Sequence, residues 1–418
     1  MRKSLFAVFV AALTVISFIP ADAAGRVKKE KMDDLAARVF DVAGAQATLL
    51  ASKLDDKSLP KTVTSAGKLV ASDCNWWCSG FFPGTLWYIY DYTLDEKFAK
   101  LARIETEKLA SVQYLKSTHD VGFMINCSYG NGLRIGDITE YQEVMYNAAH
   151  SLASRFNPVV GCIKSWGDDP RMGWYYPVII DNMMNLELLV RVGEMYGEQD
   201  LIDMAKSHAD VTIRNHFRDN YTTYHVVNYD PETGKVLHRM TRQGYSDESV
   251  WARGQAWGLY GYTMMAELTG EKRYLAQAEA MARWTIAHLP KDGVQYWDYT
   301  AAAKLLANEP GLDRNHAGEL PDGSILRDAS SAAITASAFV RLSELTGDRK
   351  LAKACRATAE KQVRALAGSE YLAEPGTNQG FLLKHSTGHY HGNGEVDAPL
   401  TYADYYFLEA VLRLINRL

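Results

Sequence analysis

The sequence predicts an all-α protein, an (α/α)6 barrel in which about six helical hairpins close into a ring, with a small β-hairpin and long loops at one end. The first support is a recurring phrase. Residues 92–98, 196–201, 269–275 and 346–351 each end an apolar run and open a more polar one. Gly197, Gly270 and Gly347 mark the break and acids follow it. Glycine suits a helix C-terminus and acids suit the next first turn, so the phrase reads as helix, turn, helix. The last three copies lie 73 and 77 residues apart, which leaves room for an extra hairpin between copies.

The second support is alternation. Runs 257–266 and 332–342 are small and apolar, whereas 272–288 and 349–366 carry charge on one face. An inner ring of buried helices inside an outer ring of amphipathic ones explains both. The third is length. About 395 residues remain beyond a leader, enough for one large domain, and a straight solenoid would show tighter repeats and distinct caps. No linker or low-complexity tract divides residues 24–418, so one domain is expected.

Taken in order, residues 1–23 read as a secretory signal peptide. Arg2 and Lys3 precede an apolar run over 5–19, and Ala21, Asp22 and Ala23 form a cleavage pattern. No Cys follows it for a lipid anchor, so export is expected, to the periplasm in a Gram-negative host. No other stretch is long and apolar enough to cross a bilayer. A net charge of −5 argues against a nucleic-acid partner. A few placed cations could still bind a small anion, in a monomer or dimer. Five cysteines are too few for a disulfide scaffold; Cys74 and Cys78 are close enough to pair, and no spacing resembles a zinc site.

Residues 74–84 form an aromatic turn containing Trp77, which could stack on a sugar or simply pack a core. Residues 118–124 break the helical pattern and set His119 and Asp120 beside a glycine, either as a capping turn or as a functional acid. Residues 176–189 read as the start of an apolar helix, with Pro177 at its entrance and Asp181 in its first turn. An Asp there is usually a cap. Flanking Asn182 and Asn185 and the apolar helix favour a carboxyl that holds its proton near neutrality, as a general acid must.

Residues 223–238 read as a strand hairpin with a turn at 230–234. Residues 251–257 place Trp251, Arg253 and Trp257 at a helix start, where dipole and guanidinium would favour an anion. Loops over 312–327 and 373–399 are long enough to be functional. The second holds His389 and His391, which lack a third ligand at recognisable spacing, so no metal is expected. Two acids, tryptophans and an Arg on such a ring describe a carbohydrate-active enzyme, without choosing among hydrolase, lyase and epimerase.

In combination and order, residues 119–123, 181–186 and 251–257, with 77–84 and 402–410, resemble glycoside hydrolase family 88, the unsaturated glucuronyl hydrolases. The sister family 105, which acts on unsaturated rhamnogalacturonan fragments, shares the barrel and acids but matches less closely. The resemblance implies removal of a Δ4,5-unsaturated uronic acid from the non-reducing end of lyase products, glycosaminoglycan-derived ones foremost, with no metal or organic cofactor. It places Asp181 as acid/base and Asp120 as second acid. It places His119, His225, Gln243, Arg253 and Trp257 around the substrate, Trp77 and Trp166 as aromatic walls of the uronate pocket, and Ser386, Thr387, His389 and Tyr390 beside the next sugar. A non-catalytic glycan-binding protein is the rival of another class.

Overall fold

In the computed structural model of the protein, residues 30–392 and 394–418 are described, and the leader expected over 1–23 lies outside them. Met32–Leu418 forms one compact unit. Its helices alternate between an outer and an inner position. The pairs are α1 (Met32–Ala51) with α2 (Phe81–Thr93), α3 (Glu96–Glu107) with α4 (Val121–Ile125) and α5 (Asn131–Gly136), and α6 (Tyr141–Ala153) with α7 (Leu186–Tyr196). Then come α8 (Gln199–Asn215) with α9 (Ala252–Thr269), α10 (Lys272–His288) with α12 (Ala329–Leu345), and α13 (Arg349–Leu366) with α14 (Thr401–Leu414). A short helix, α11 (Tyr299–Leu306), rides on the connection between α10 and α12. A π-helical turn over Asn126–Gly130 joins α4 to α5, making them one inner helix. The ring closes where α14 packs on α2. This is the (α/α)6 barrel the repeat and the alternation predict.

Burial follows the sequence pattern. Every residue from Ala252 to Ala266 of α9 is buried, as in a helix surrounded by others. In α13 only Leu351, Cys355, Ala359, Gln362, Val363 and Leu366 are buried, one stripe facing inward. The recurring phrase forms four inner-to-outer turns. Gly197 and Gly270 take the left-handed conformation there, and Leu94 does so in the first copy at φ 55°. No hairpin intervenes between the last three copies. Their long spacing comes from the loops that lead back to the inner ring, and the turn lacking the phrase is the one between α5 and α6.

The expected strand hairpin is present as β6 (Val226–Tyr229) and β7 (Val236–Met240), after the short pairs β1 (Leu59–Val63) with β2 (Leu69–Ser72) and β3 (Phe156–Asn157) with β4 (Cys162–Ile163). One expectation fails. Residues 176–189 are not a continuous helix: Tyr176–Ile179 is β5, the edge strand of the sheet β5-β6-β7; Ile180–Met184 is a 3-10 turn; and α7 starts at Leu186. Pro177 therefore sits in an edge strand, where its missing N–H is tolerated. A short run of buried apolar residues carries no period that separates strand from helix.

Inner helices approach closely at α2. A Cβ on Gly84 would lie 2.5 Å from both the Cys127 carbonyl oxygen and the Tyr405 ring, whereas one on Gly347 would meet nothing within 4 Å. Gly84→Ala is expected to destabilise the fold by ~1–3 kcal/mol through overpacking. Gly347→Ala is expected to be neutral or stabilising by up to ~1 kcal/mol. Urea unfolding midpoints at constant slope would check both.

Candidate active site

The site lies where the six inner helices begin. Asp120 immediately precedes α4, and Asp181 lies in the 3-10 turn before α7. Arg253 is in the first turn of α9, and Trp77, Asp328 and the loop over 386–390 precede α2, α12 and α14. The helix starts bring a positive end of each dipole toward one mouth of the ring.

Asp181 is buried, and its Oδ2 has no hydrogen-bond partner. Its side chain caps no helix. Burial pushes its carboxyl up to about 7; the Arg253 cation opposes that rise, the Asp120 charge adds to it, and the Trp257 indole opposes it. Trp257 is fully buried with its Nε1 unpartnered, and its ring packs 5.1 Å from that of Phe123. His225 Nε2, also unpartnered, lies 3.9 Å from Asp181 Oδ2. His225 Nδ1 accepts from the backbone N–H of Arg242 at 3.0 Å and of Gln243 at 3.3 Å. Those bonds fix the tautomer with the proton on Nε2, and burial holds the ring neutral, well below its usual pKa.

Asp120 is positioned by a relay. Asn185 Oδ1 accepts from Phe123 N–H at 2.7 Å, which orients the amide so that its Nδ2 donates to His119 Nδ1 at 3.3 Å. His119 Nε2 then lies 3.2 Å from Asp120 Oδ1, and Thr118 Oγ1 donates to Asp120 Oδ2 at 2.6 Å. Burial keeps His119 neutral. The relay ties the start of α4 to the start of α7, so Asp120 is positioned from the helix start that follows Asp181.

Arg253 is buried and largely committed. Its Nη1 donates to Asp328 Oδ2 and to the Thr387 carbonyl, and its Nη2 donates to the Gly388 carbonyl at 2.6 Å. Gln243 Nε2 reaches the same Gly388 oxygen at 2.9 Å. Two of the five guanidinium N–H groups are left over. Asp328 in turn accepts from Ser330 Oγ, from Ser331 Oγ and from Thr387 N–H. Thr387 Oγ1 donates to the Arg327 carbonyl, and the buried Ser386 Oγ is unpartnered. His389 Nε2 contacts the Arg242 carbonyl at 3.0 Å, and the Tyr390 hydroxyl donates to the Asn315 carbonyl. Half-buried Trp77 packs on Tyr402 at 4.9 Å and Phe123 at 5.7 Å. Half-buried Trp166 packs 5.3 Å from Trp174, its Nε1 unpartnered.

Three residues of this mouth escape sequence reasoning. Asp328 carried a usable signal, an Asp two residues before paired serines at the start of an apolar run, which is a cap pattern. Tyr402 faces both Trp77 and Arg253, and its hydroxyl is buried without a partner. Glu395 lies against Gly388 and 3.5 Å from Lys61. Burial raises its carboxyl while Lys61 and Arg253 pull it back. Tyr402 lies in the matched stretch 402–410, but the resemblance gives it no role in the site, and nothing local in the sequence marks Glu395.

No family model matches the chain. It is 37% identical over 420 residues to an unsaturated glucuronyl hydrolase of Formosa agariphila, covering 100% of this chain and 99% of the relative. It is 32% identical to an unsaturated glucuronyl hydrolase of Bacillus sp. (strain GL1), over 90% and 95% of the two chains. Among solved structures, an unsaturated glucuronyl hydrolase specific for heparin superposes with a TM-score of 0.84 at 41% identity, over 92% of this chain and 98% of that one. A mutant of the Streptococcus agalactiae unsaturated glucuronyl hydrolase complexed with dGlcA-GalNAc6S superposes with a TM-score of 0.74 at 26% identity, over 92% of each chain.

The Asp181 carboxyl should titrate near 7 by carbon-13 NMR of labelled aspartate. Asp120→Asn removes a neighbouring negative charge and should lower that value; an Asp181 that titrates near its ordinary ~3.9 would refute the geometry. Asn185→Ala leaves the Phe123 N–H and the His119 ring unpaired inside the protein. Chemical denaturation should show a loss of ~1–3 kcal/mol.

Proposed function

The chain belongs to the unsaturated glucuronyl hydrolase family, and from that premise we propose how its residues remove a Δ4,5-unsaturated uronic acid from the non-reducing end of lyase-generated oligosaccharides. The observation that carries the proposal is Asp181, a buried carboxyl raised to about 7 with one oxygen free of any partner. Such a group is half protonated near neutral pH and can act first as acid, then as base.

The substrate's C4=C5 bond is attached to the ring oxygen and is therefore a vinyl ether. Asp181 delivers its proton to C4, and positive charge develops on C5 and the ring oxygen. Water adds at C5 and gives its proton to the Asp181 carboxylate. The hemiketal opens to a C5 ketone, and C1, now a hemiacetal, releases the next sugar. Asp120 serves as a fixed negative charge that keeps Asp181 protonated and stabilises the cation. His225 offers a neutral N–H rather than a proton. Arg253 holds the loop at Thr387 and Gly388 in place, and its remaining N–H groups and charge face an anionic substrate. Trp77 and Trp166 are the proposed aromatic walls. The chemistry requires no metal or organic cofactor, and it differs from ordinary glycoside cleavage, in which two carboxylates flank the anomeric carbon.

Glycosaminoglycan-derived fragments are the proposed substrates, with the loop of Ser386, Thr387, His389 and Tyr390 beside the second sugar. Export to a periplasm by the leader over residues 1–23 belongs to the same proposal. N-terminal sequencing of the secreted protein would test it, with a start at Ala24 expected.

A panel of unsaturated disaccharides, sulfated and unsulfated, should lose ultraviolet absorbance on turnover. Saturated analogues should stay intact, and a rise in absorbance would mean a lyase. Asp181→Asn should reduce kcat by ~10³-fold with substrate binding retained. Because the protonated form starts the reaction, kcat/KM should fall as pH rises through about 7. In Asp120→Asn that basic limb should move to lower pH.

A further inference from the structure

The loop over 386–398 doubles back on itself. Ser386 pairs with Ala398 and His389 with Gly394, and Gly388 N–H donates to the Glu395 carbonyl at 2.7 Å. The outgoing limb is committed to the mouth, where the carbonyls of Thr387 and Gly388 take Arg253 and Gln243. The returning limb carries two acids at positive φ, Glu395 at 58° and Asp397 at 48°. Asp397 is exposed and pairs with His385 at 2.7 Å. Glu395 is turned inward, its side chain only 13% exposed.

The Glu395 carboxyl rests against the very peptide that Arg253 holds, and a Cβ on Gly388 would collide with it. Lys61 Nζ lies 3.5 Å from Glu395 Oε1 and 3.7 Å over the Trp76 ring. Four elements present charged or titratable groups to this carboxyl. They are Lys61 from β1, the Cys78 thiol from the turn before α2, Arg253 from α9 and the Tyr402 hydroxyl from α14. Burial keeps the thiol and the phenol neutral, so Glu395 answers to the two cations. Arg253 is shared: Asp328, Asp181 and Glu395 all draw on its charge. Asp328 bonds to the guanidinium at 3.2 Å, whereas Glu395 acts on it through space. Like charges a few ångströms apart stay strongly coupled where water is largely excluded.

We propose, on the functional reading given above, that Glu395 is a specificity-determining residue: a built-in carboxylate that shares Arg253 with the substrate and disfavours unsaturated fragments bearing further anionic groups, such as sulfate esters, relative to those bearing the uronate alone. Glu395 touches no reacting atom and works through Arg253 and the Gly388 peptide. Its ionised form repels a second anion and its protonated form does not. Burial raises its titration above the ordinary 4.5 of a glutamate, while Lys61 and Arg253 pull it back. Fragments with extra charge are therefore bound best below that titration and less well as pH rises through it.

Binding in the Asp181→Asn background tests this, by titration calorimetry of the full chain with a monosulfated unsaturated disaccharide and with its unsulfated counterpart. Adding Glu395→Gln keeps the shape and removes the charge. It should tighten the sulfated ligand ~3- to 10-fold and the unsulfated one ~2-fold or less. Glu395→Asp keeps a charge there and should leave the preference near that of the parent. Across a pH series the parent's relative affinity for the sulfated ligand should fall as Glu395 ionises, and Glu395→Gln should abolish that fall. A residue that merely holds the loop gives another pattern: Glu395→Gln weakens both ligands and leaves their ratio unchanged. That pattern overturns the proposal, as does a pH dependence that survives in Glu395→Gln. Circular dichroism establishes that the variant folds; where it does not, the pH series on the parent decides, and a ratio that stays flat overturns the proposal. Wild-type protein that turns over neither disaccharide overturns the functional reading and this proposal with it, whereas turnover with an unchanged ratio overturns this proposal alone.

Discussion

A carboxyl that must hold a proton near neutral pH has to be kept from water without being given strong donors in exchange. That constraint governs the acid end of this ring. An Asp at a helix start ordinarily caps it, and two or three N–H bonds to the carboxylate would drive its pKa down. The chain avoids this by not starting a helix at Asp181. β5 delivers the residue into a 3-10 turn, and α7 begins only at Leu186. The carboxyl is thus buried by its neighbours while one oxygen goes without a partner. The neighbouring donors, His225 Nε2 and Trp257 Nε1, are themselves unpartnered. A cluster of unsatisfied buried polar atoms is expensive, and such expense is characteristic of functional sites.

The surrounding charges are arranged to leave that carboxyl in balance. Arg253 would depress it, and it is the largest opposing influence on Asp181. But the guanidinium is turned toward Asp328 and the carbonyls of Thr387 and Gly388, which spend much of its charge on fixing a loop. Asp120 acts in the other direction. Its position depends on Asn185, a neutral His119 and Thr118, so it is held by uncharged neighbours. Two charges of opposite sign, each locked by its own network, leave burial to decide the outcome.

How much of this could be read from sequence depends on the range of the interaction. The ring was legible because its inner-to-outer turns are local: the phrase at 196–201 or 346–351 is complete within a few residues. The hairpin of β6 and β7 was legible for the same reason. β5 was not, since four buried residues without alternation look alike as strand or helix, and its partners in β6 lie 47 to 53 residues further along the chain. The relay through Asn185 crosses from α7 to α4, and Glu395 meets Lys61 across most of the chain. Those partners become neighbours only when the ring closes. Asp181 could be picked out by its apolar setting, but whether it capped a helix turned on a boundary shift of a few residues, the scale at which patterns are weakest.

The two mouths of the ring differ because the connections differ. Turns that follow inner helices are short and leave the C-terminal ends open, lined by ion pairs between side chains such as Arg191–Glu187 and Arg341–Glu267. Connections that precede inner helices are long, and they carry the sheet, α11 and the loop over 386–399. A long connection can place a side chain over the ring's axis, whereas a tight turn cannot reach it. The location of the proposed site at the N-terminal mouth therefore follows from which connections are long. The dipoles add to this, since the same mouth gathers the positive ends of the inner helices and suits a uronate. At the other mouth the dipoles are reversed, and cations must come from side chains. Four arginines, on α5, α7, α12 and α14, stand there beside four glutamates, so the side chains bring no surplus of either sign.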